Sequence, residues 1–566
     1  MSVEVNSFHS GEVTGTDVHS EKKMKDLENL LNFQMAPTPN TGLEAYTGAW
    51  TRKQVTHLLK RTMFGCKKSD VDFFMTKNLT QSVDILISPQ IADPEPPLNN
   101  YTAAYGVADP DVPSGQTWVN ANWSSVEYNR SVSLNNWWHK LMFTQSQSIV
   151  EKMTLFFHNL LVTSFEAVER ARWMYVNIKT YRANCLGNYK SLLKKATLDP
   201  QMLRYLNGHY NTKTSPDENY ARELQELFTL GVGAGYSETD VQQAAKILTG
   251  FRTSSTSVPP VDVYQFDASK HDTGSKTFSG FYGNQVIAGG STEAAALGEL
   301  DVLINMIFAR EETSKFICRE IYRFFVHYNI DSTIETNIIT PLATIFRDNN
   351  YEIIPVLKKL FKSQHFFDVL SNGGMIKSPV DYIVGMCREF NMALPPVNQI
   401  APYYEVFNKI RSESILQNQE IINPPNVAGW TSYYQAPAFH RIWVNANTLQ
   451  KRNKFSDRMV GNGYTVQGFV MKFDLLAYTA SLSNPGNPNI LVQDVISLMF
   501  REDLTTDAKA YLKDFLLTGQ TNDDYWTSAW TAYVGDPTNP TKLNTVKTRL
   551  TNLYKYIMNM PEYQLM

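Results

Sequence analysis

Five side chains in this 566-residue sequence combine types and spacing that could do chemistry: His158, Glu223, Glu226, His271 and Asp272. Glu223 and Glu226 stand three apart, a spacing that on a helix turns both carboxylates to one face, with Asn219 one turn earlier. Two carboxylates held that close repel unless a cation or an arginine lies between them, or one of them takes a proton. If the imidazoles of His158 and His271 and the carboxyl of Asp272 meet the same point, the set supplies the donors of a divalent metal ion site or the acid and base of a proton-transfer centre. His158, Glu223, Glu226 and His271 are the candidate metal ligands, and Asp272 completes the candidate catalytic set. Arg222 supports a second reading. It lies four residues from both Glu218 and Glu226, which makes an ion-pair ladder on a solvated helix face worth about a few tenths of a kcal/mol per pair.

Each of the other residues also has two readings. His158 sits among Phe156, Phe157, Leu160 and Leu161, so it is either a core histidine or a ligand. His271-Asp272-Thr273-Gly274 is a polar loop where packing has little use for His-Asp, although an Asx-turn from Asp272 to Gly274 explains half of it. Trp430 after Gly429 either lines a ligand pocket or buries a large ring. Absences narrow the chemistry further. The sequence contains no His-Glu-x-x-His and no Glu-x-x-His, which disfavours a zincin or a ferritin-like di-iron bundle. Gly231-Val232-Gly233-Ala234-Gly235 lacks dinucleotide spacing and follows a helical pattern, so it reads as a helix-ending turn. Neither a phosphate-binding P-loop nor a Gly-x-Ser-x-Gly elbow occurs.

Helices must position these groups. Ser215 reads as an N-cap with Pro216 at the first helical position and Glu218 three after the cap, a capping box for a helix running to Gly231. Tyr220, Leu224 and Leu227 mark its buried face. Ser237 with Asp240 caps a second helix that Gly250 ends. Strands are scarce, the best candidate being a hairpin of Val263–Phe266 with Lys276–Phe278 that puts His271-Asp272 at its tip. Apolar periods place further helices after Thr51, over Lys68–Thr76 and Thr80–Ile87, and through Ser133–Leu206. Others fit Gly298–Ala309, Glu312–His327, Ile334–Asp348, Ile353–Lys362 and Ser378–Phe390. The expected fold class is therefore mainly α: a large multi-helix globular body with one small β-hairpin and a C-terminal helical annex.

Three segments follow from this pattern. Residues 1–48 read as a flexible N-terminal arm with a short helix over Lys22–Phe33, 49–455 as the main helical domain, and 463–566 as the annex. Residues 89–115 carry six prolines and read as a long surface loop. Lys and Arg number 52 against 55 Asp and Glu, a formal charge of -3, so no field exists to recruit nucleic acid, and clusters such as Lys194-Lys195 are too short to change that. Cys66, Cys185, Cys318 and Cys387 form no Cys-x-x-Cys pair and are expected to be buried free thiols. No stretch has the apolar length of a membrane span, and Met1 to Gln34 lacks the pattern of a secretory signal, which points by default to the cytoplasm.

The stretch from Ser215 to Phe251 resembles the Asn-Glu-Asn-Tyr-Ala-Arg-Glu-Leu signature of a large bacterial family known as domain of unknown function eighteen hundred (DUF1800). Four further blocks extend the resemblance from about Trp50 to the C-terminus. Phe156-Phe157-His158-Asn159 is similar to that family's Phe-Trp-His-Asn-His-Phe segment, and His271-Asp272-Thr273-Gly274 to its His-Asp-x-Gly loop. Pro425-Asn426-Val427-Ala428-Gly429-Trp430 is similar to its Val-x-Gly-Trp turn, and Pro561-Glu562-Tyr563-Gln564 to its closing motif. Phe157 replaces the usual Trp, Leu160 the usual second His and Asp217 the usual Asn. A metal role for that second histidine in relatives would not carry over, since Leu160 has no donor. The resemblance implies export, against the default compartment, and names no reaction. Two functions from different classes follow. One is an enzyme, hydrolytic or oxidative on a small molecule or polymer, built on the five residues. The other is a non-catalytic interaction or assembly protein with a protein partner, whose shared motifs are structural.

Overall fold

The apolar period beginning at Val55 folds as the helix Arg52–Thr62, and its face of Val55, Leu58 and Leu59 is fully buried. Gly65 follows at φ 66°, and a side chain there would lie 2.5 Å from the Cα of Gly385, so the two backbones meet where only glycine fits. The computed structural model describes residues 41–87, 92–253, 263–368 and 374–566. The helix expected over Lys22–Phe33 lies outside them.

The chain is mainly α-helical, as its patterning predicts. Lys68–Met75, Leu79–Leu86, Ile353–Phe361 and Pro379–Glu389 match the expected spans within a residue or two. The long block begins earlier than Ser133, with Glu127–Thr144, and continues through Val150–Leu160, Ala171–Asn184, Tyr189–Thr197 and Pro200–Tyr205. The four cysteines are free and buried. Burial pushes the Cys66 thiol up to about 12, which makes it inert as a nucleophile.

Three expectations need correction. The Val263–Phe266 strand does not pair with Lys276–Phe278. Gln265–Phe266 pairs with Phe251–Arg252, and Lys276–Thr277 pairs with Val286–Ile287, so His271-Asp272 links two separate sheets. A third hairpin, Tyr464–Val466 with Phe469–Met471, opens the C-terminal region, making three two-stranded antiparallel sheets among the described residues. The capping box at Ser215 does not form. The helix starts at Asn219, because Asn211 captures the Asp217 amide at 2.9 Å and Asp217 then accepts the Asn219 amide at 2.9 Å. It also stops at Glu226, short of Gly231. Within the proline-rich loop, Tyr101–Tyr105 is helical, anchored by the buried ring of Tyr101.

One buried apolar cluster extends from Leu43 to Tyr563. Each large aliphatic or aromatic side chain in it contributes roughly 1.5–3 kcal/mol. The C-terminal helices dock back onto the first one: Lys60 donates to the Met499 carbonyl at 2.7 Å, and Arg52 pairs with Asp494 at 3.1 Å. Among the described residues, no helix is long and apolar enough to cross a membrane.

Candidate functional site

The second helix of the motif region, Glu238–Ile247, forms with the expected cap, Ser237 accepting from the Asp240 amide and Asp240 returning the bond. Just beyond its end, the Thr249 carbonyl meets the Nδ1 of His271 at 2.8 Å, and the Thr249 hydroxyl accepts the Asp272 amide at 2.8 Å. The other ring nitrogen of His271 faces Glu299 at 3.3 Å, and the second oxygen of Glu299 takes Lys276 at 2.7 Å. The Gly290 amide also donates to Glu299 at 2.9 Å. His271 and Lys276 are wholly buried. Burial pushes the Glu299 carboxyl up, but the bonds from His271, Lys276 and Gly290 outweigh it and hold the group below its ordinary range. Asp272 makes the Asx-turn expected of it, accepting the Gly274 amide at 2.9 Å. Both ring nitrogens of His271 are thus committed within the protein.

His158 has a different setting. It lies on the helix Val150–Leu160, wholly buried, with the ring of Trp138 at 5.4 Å edge-on and those of Trp430 and Tyr181 at 6.2 and 6.4 Å. Neither ring nitrogen has a partner in hydrogen-bond geometry. The Ile421 backbone nearby favours the charged form slightly. Burial dominates and lowers the imidazole to about 3, so it is neutral at physiological pH. Its neighbour Asn159 joins two shared blocks, accepting the Trp430 amide at 3.0 Å. Gly429 sits at φ 84°, and a side chain there would fall 2.4 Å from the Asn159 side-chain oxygen.

Glu223 and Glu226 lie on the solvated side of Asn219–Glu226, opposite the buried Tyr220 and Leu224. Arg222 reaches Glu218 at 3.2 Å and Glu226 at 3.7 Å, and it also pairs with Glu238 on the following helix. This is the ion-pair ladder, extended by one carboxylate that helical spacing alone does not reveal. Burial raises the Glu223 carboxyl, the charge of Glu226 adds to the rise, and Arg222 opposes it. The Tyr236 phenol, in the adjoining turn, lies beside Glu226, and burial together with that carboxylate pushes it up.

The structure keeps Glu223 beside Glu226 and His271 beside Asp272, and no hydrogen bond or ring contact of His158 reaches either pair. Among the described residues, no three histidine, cysteine, aspartate or glutamate side chains are grouped so that they could hold a metal ion.

Sequence reasoning missed Lys276 and Glu299. Both left a trace. Glu299 falls on the apolar face of Ala296, Leu300 and Leu303, and Lys276 alternates in phase with buried Phe278. A charge on an inward face needs a partner, and each supplies the other's.

The closing block forms a second buried polar knot. Tyr563 donates to Glu389 at 2.8 Å, and Lys60 meets the other Glu389 oxygen at 3.1 Å. The ammonium of Lys377 lies 3.8 Å from the centre of the Tyr563 ring. Burial lowers this lysine to about 7. Nearby, Lys152 pairs with Asp381, which Ser378 also bonds at 2.9 Å.

All five shared blocks are therefore joined to other elements by buried polar contacts, Tyr220 bonding Thr197 at 2.7 Å and Tyr282 bonding Gln225 at 2.7 Å in the remaining one. No curated protein and no solved structure matches the chain. A family model described as protein of unknown function, DUF1800, matches residues 57–565, nearly the whole sequence, and the chain belongs to that family.

Proposed function

We propose that the protein acts by binding, and that its shared motifs serve as the connectors that hold the helical body together. One observation carries this reading: His271 has both ring nitrogens engaged, by Thr249 and by Glu299, with no part of the ring open to solvent. A ligating or proton-shuttling imidazole needs a free nitrogen aimed at a reachable space. His158 supports the same view from the opposite direction, since a neutral ring caged by Trp138, Tyr181 and Trp430 has no second donor beside it for a metal. The test is elemental analysis of the purified chain alongside Glu223→Gln and His271→Asn. The binding reading expects no stoichiometric divalent metal in any of them. One metal ion per chain, lost in a folded Glu223→Gln variant, overturns it.

A second reading rests on Glu223, whose carboxyl is raised by burial and by Glu226 while remaining partly open to solvent. A carboxyl raised this way beside a charged one, with the Tyr236 phenol adjacent, is suited to general acid–base work. Its test is a screen against chromogenic esters and glycosides: turnover that falls about a hundredfold in Glu223→Gln supports it, and turnover unchanged by the substitution removes it.

A further inference from the structure

The helices Ala446–Val460 and Pro540–Asn559 pack together and leave an open groove of about 770 Å³ between them. Gln450, Asn453, Lys454, Asp457 and Arg458 line one wall at helical spacing, and Thr551 and Lys555, one turn apart, line the other. Asn462 closes one end. The charge here departs from the balance of the whole chain. Pro540–Asn559 carries Lys542, Lys547, Arg549 and Lys555 and no acidic residue. Lys542 is taken by Asp536, and Arg549 by the Leu516 and Tyr525 carbonyls, but Lys555 has no carboxylate partner among the described residues, nor has Lys454 across the groove; Arg458 has none either, although its Nε donates to the Gly463 carbonyl at 2.5 Å and its guanidinium lies 5.7 Å from the centre of the Tyr464 ring. The only lining carboxylate, Asp457, is occupied by the Asn559 amide at 3.0 Å. The Asn453 side-chain oxygen is buried without a partner.

Lys454 and Lys555, with Arg458 beside them, outnumber the single carboxylate of Asp457 and leave the open groove net positive, which attracts an anion, and ammonium and guanidinium groups make the stronger, charge-assisted bonds. Amide side chains and a threonine hydroxyl between them offer donors and acceptors in the mixture that sugar hydroxyls require. The volume falls in the range of small-molecule sites. None of the lining side chains is aromatic, so the groove offers no platform for stacking bases or neutral sugar rings, and charge must do the anchoring. We infer that this groove binds an acidic oligosaccharide, a short sugar chain bearing carboxylates or sulfates. The inference rests on the binding reading above and adds the place and the class of ligand.

The experiment is calorimetric titration of the full chain with trigalacturonate, a sulfated trisaccharide, neutral maltotriose and inorganic phosphate. The two acidic sugars bind, the tighter one identifying the anionic group, and binding weakens as salt is added. The double variant Lys454→Gln/Lys555→Gln loses at least about tenfold in affinity, the single Lys454→Gln variant at an exposed position shifts the same way, and Lys194→Gln on another surface changes nothing. Absence of binding by both acidic sugars overturns the proposal. So does maltotriose or phosphate binding as tightly as they do, or full affinity in a folded double variant. A metal found by elemental analysis would sink the binding reading without touching this titration, so the two can fail separately.

Discussion

His271 and His158 are equally inaccessible, yet the protein treats them in opposite ways. Around His271 every polar atom is answered: the ring bonds Thr249 and Glu299, Glu299 bonds Lys276 and Gly290, and Lys276 also donates to the Asp272 carbonyl at 2.5 Å. Around His158 the surroundings are rings, and neither nitrogen is answered. The difference teaches that a shared histidine can be kept for two unrelated physical reasons. One serves as a hydrogen-bonding node beside a buried ion pair, and the other fills volume between aromatic rings, nearly perpendicular to the indole of Trp138.

The largest effect tests the first region. Glu299→Ala leaves the buried Lys276 with only the longer contact to the Asp272 carboxylate, at 3.5 Å, and costs about 3 kcal/mol, read as a lowered denaturation midpoint. A loss below about 1 kcal/mol would mean that Asp272 or solvent answers Lys276 in place of Glu299. The same substitution at the two histidines sharpens the contrast. His271→Phe unbonds the Thr249 carbonyl, leaves one Glu299 oxygen with the Gly290 amide alone, and costs about 2–3 kcal/mol, whereas His158→Phe keeps the shape of a ring in an aromatic cage and costs under about 1.5 kcal/mol. Equal losses in the two variants would erase the distinction.

Acid separates the regions by a different route. Burial holds His158 at about 3 when folded, below the ordinary histidine value of 6.5. The stability this neutral ring contributes is complete above about pH 6.5 and is lost progressively as pH falls toward its folded value. Near pH 4.5 the loss is about 3 kcal/mol, and the His158→Phe variant escapes it, so the variant should withstand mild acid better than the parent in urea melts. Glu299 behaves otherwise. Its carboxyl is held below its ordinary range when folded, so its contribution is present above the unfolded value and is lost only as pH falls through the folded one. A parent and a His158→Phe variant with parallel acid profiles would show that the ring is protonated in the fold.

The smallest effect concerns the solvated carboxylates. Glu223→Gln removes a raised carboxyl and its repulsion from Glu226, and raises stability near neutral pH by about a few tenths of a kcal/mol, damped by solvent. The gain disappears in acid, where Glu223 is already protonated. A loss of more than about 1 kcal/mol would assign the pair a structural load that the ladder does not have.

Periodicity alone placed most of the helices, because a buried apolar stripe recurs every 3.6 residues whatever it packs against. Local chemistry settled the Ser237 cap and the Asx-turn at Asp272, where all the partners lie within a few residues. At Ser215 the same local logic failed, since Asn211, outside the expected helix, captured the chain first. The paired strands were also beyond it: two-residue strands carry no period, and the partners of Gln265–Phe266 and Lys276–Thr277 were chosen by packing.

The candidate site shows the same division. The amino-acid order by itself determined that Glu223, Arg222 and Glu226 share a helix face, because backbone geometry fixes neighbours three and four apart. It also carried the family membership in blocks spread over the chain. Only the tertiary structure decided that His271 faces Glu299, that Asn159 meets Trp430, and that two basic helices enclose a groove. These contacts join residues far apart in the chain, and burial then sets whether such a group is a node, a filler or an open charge.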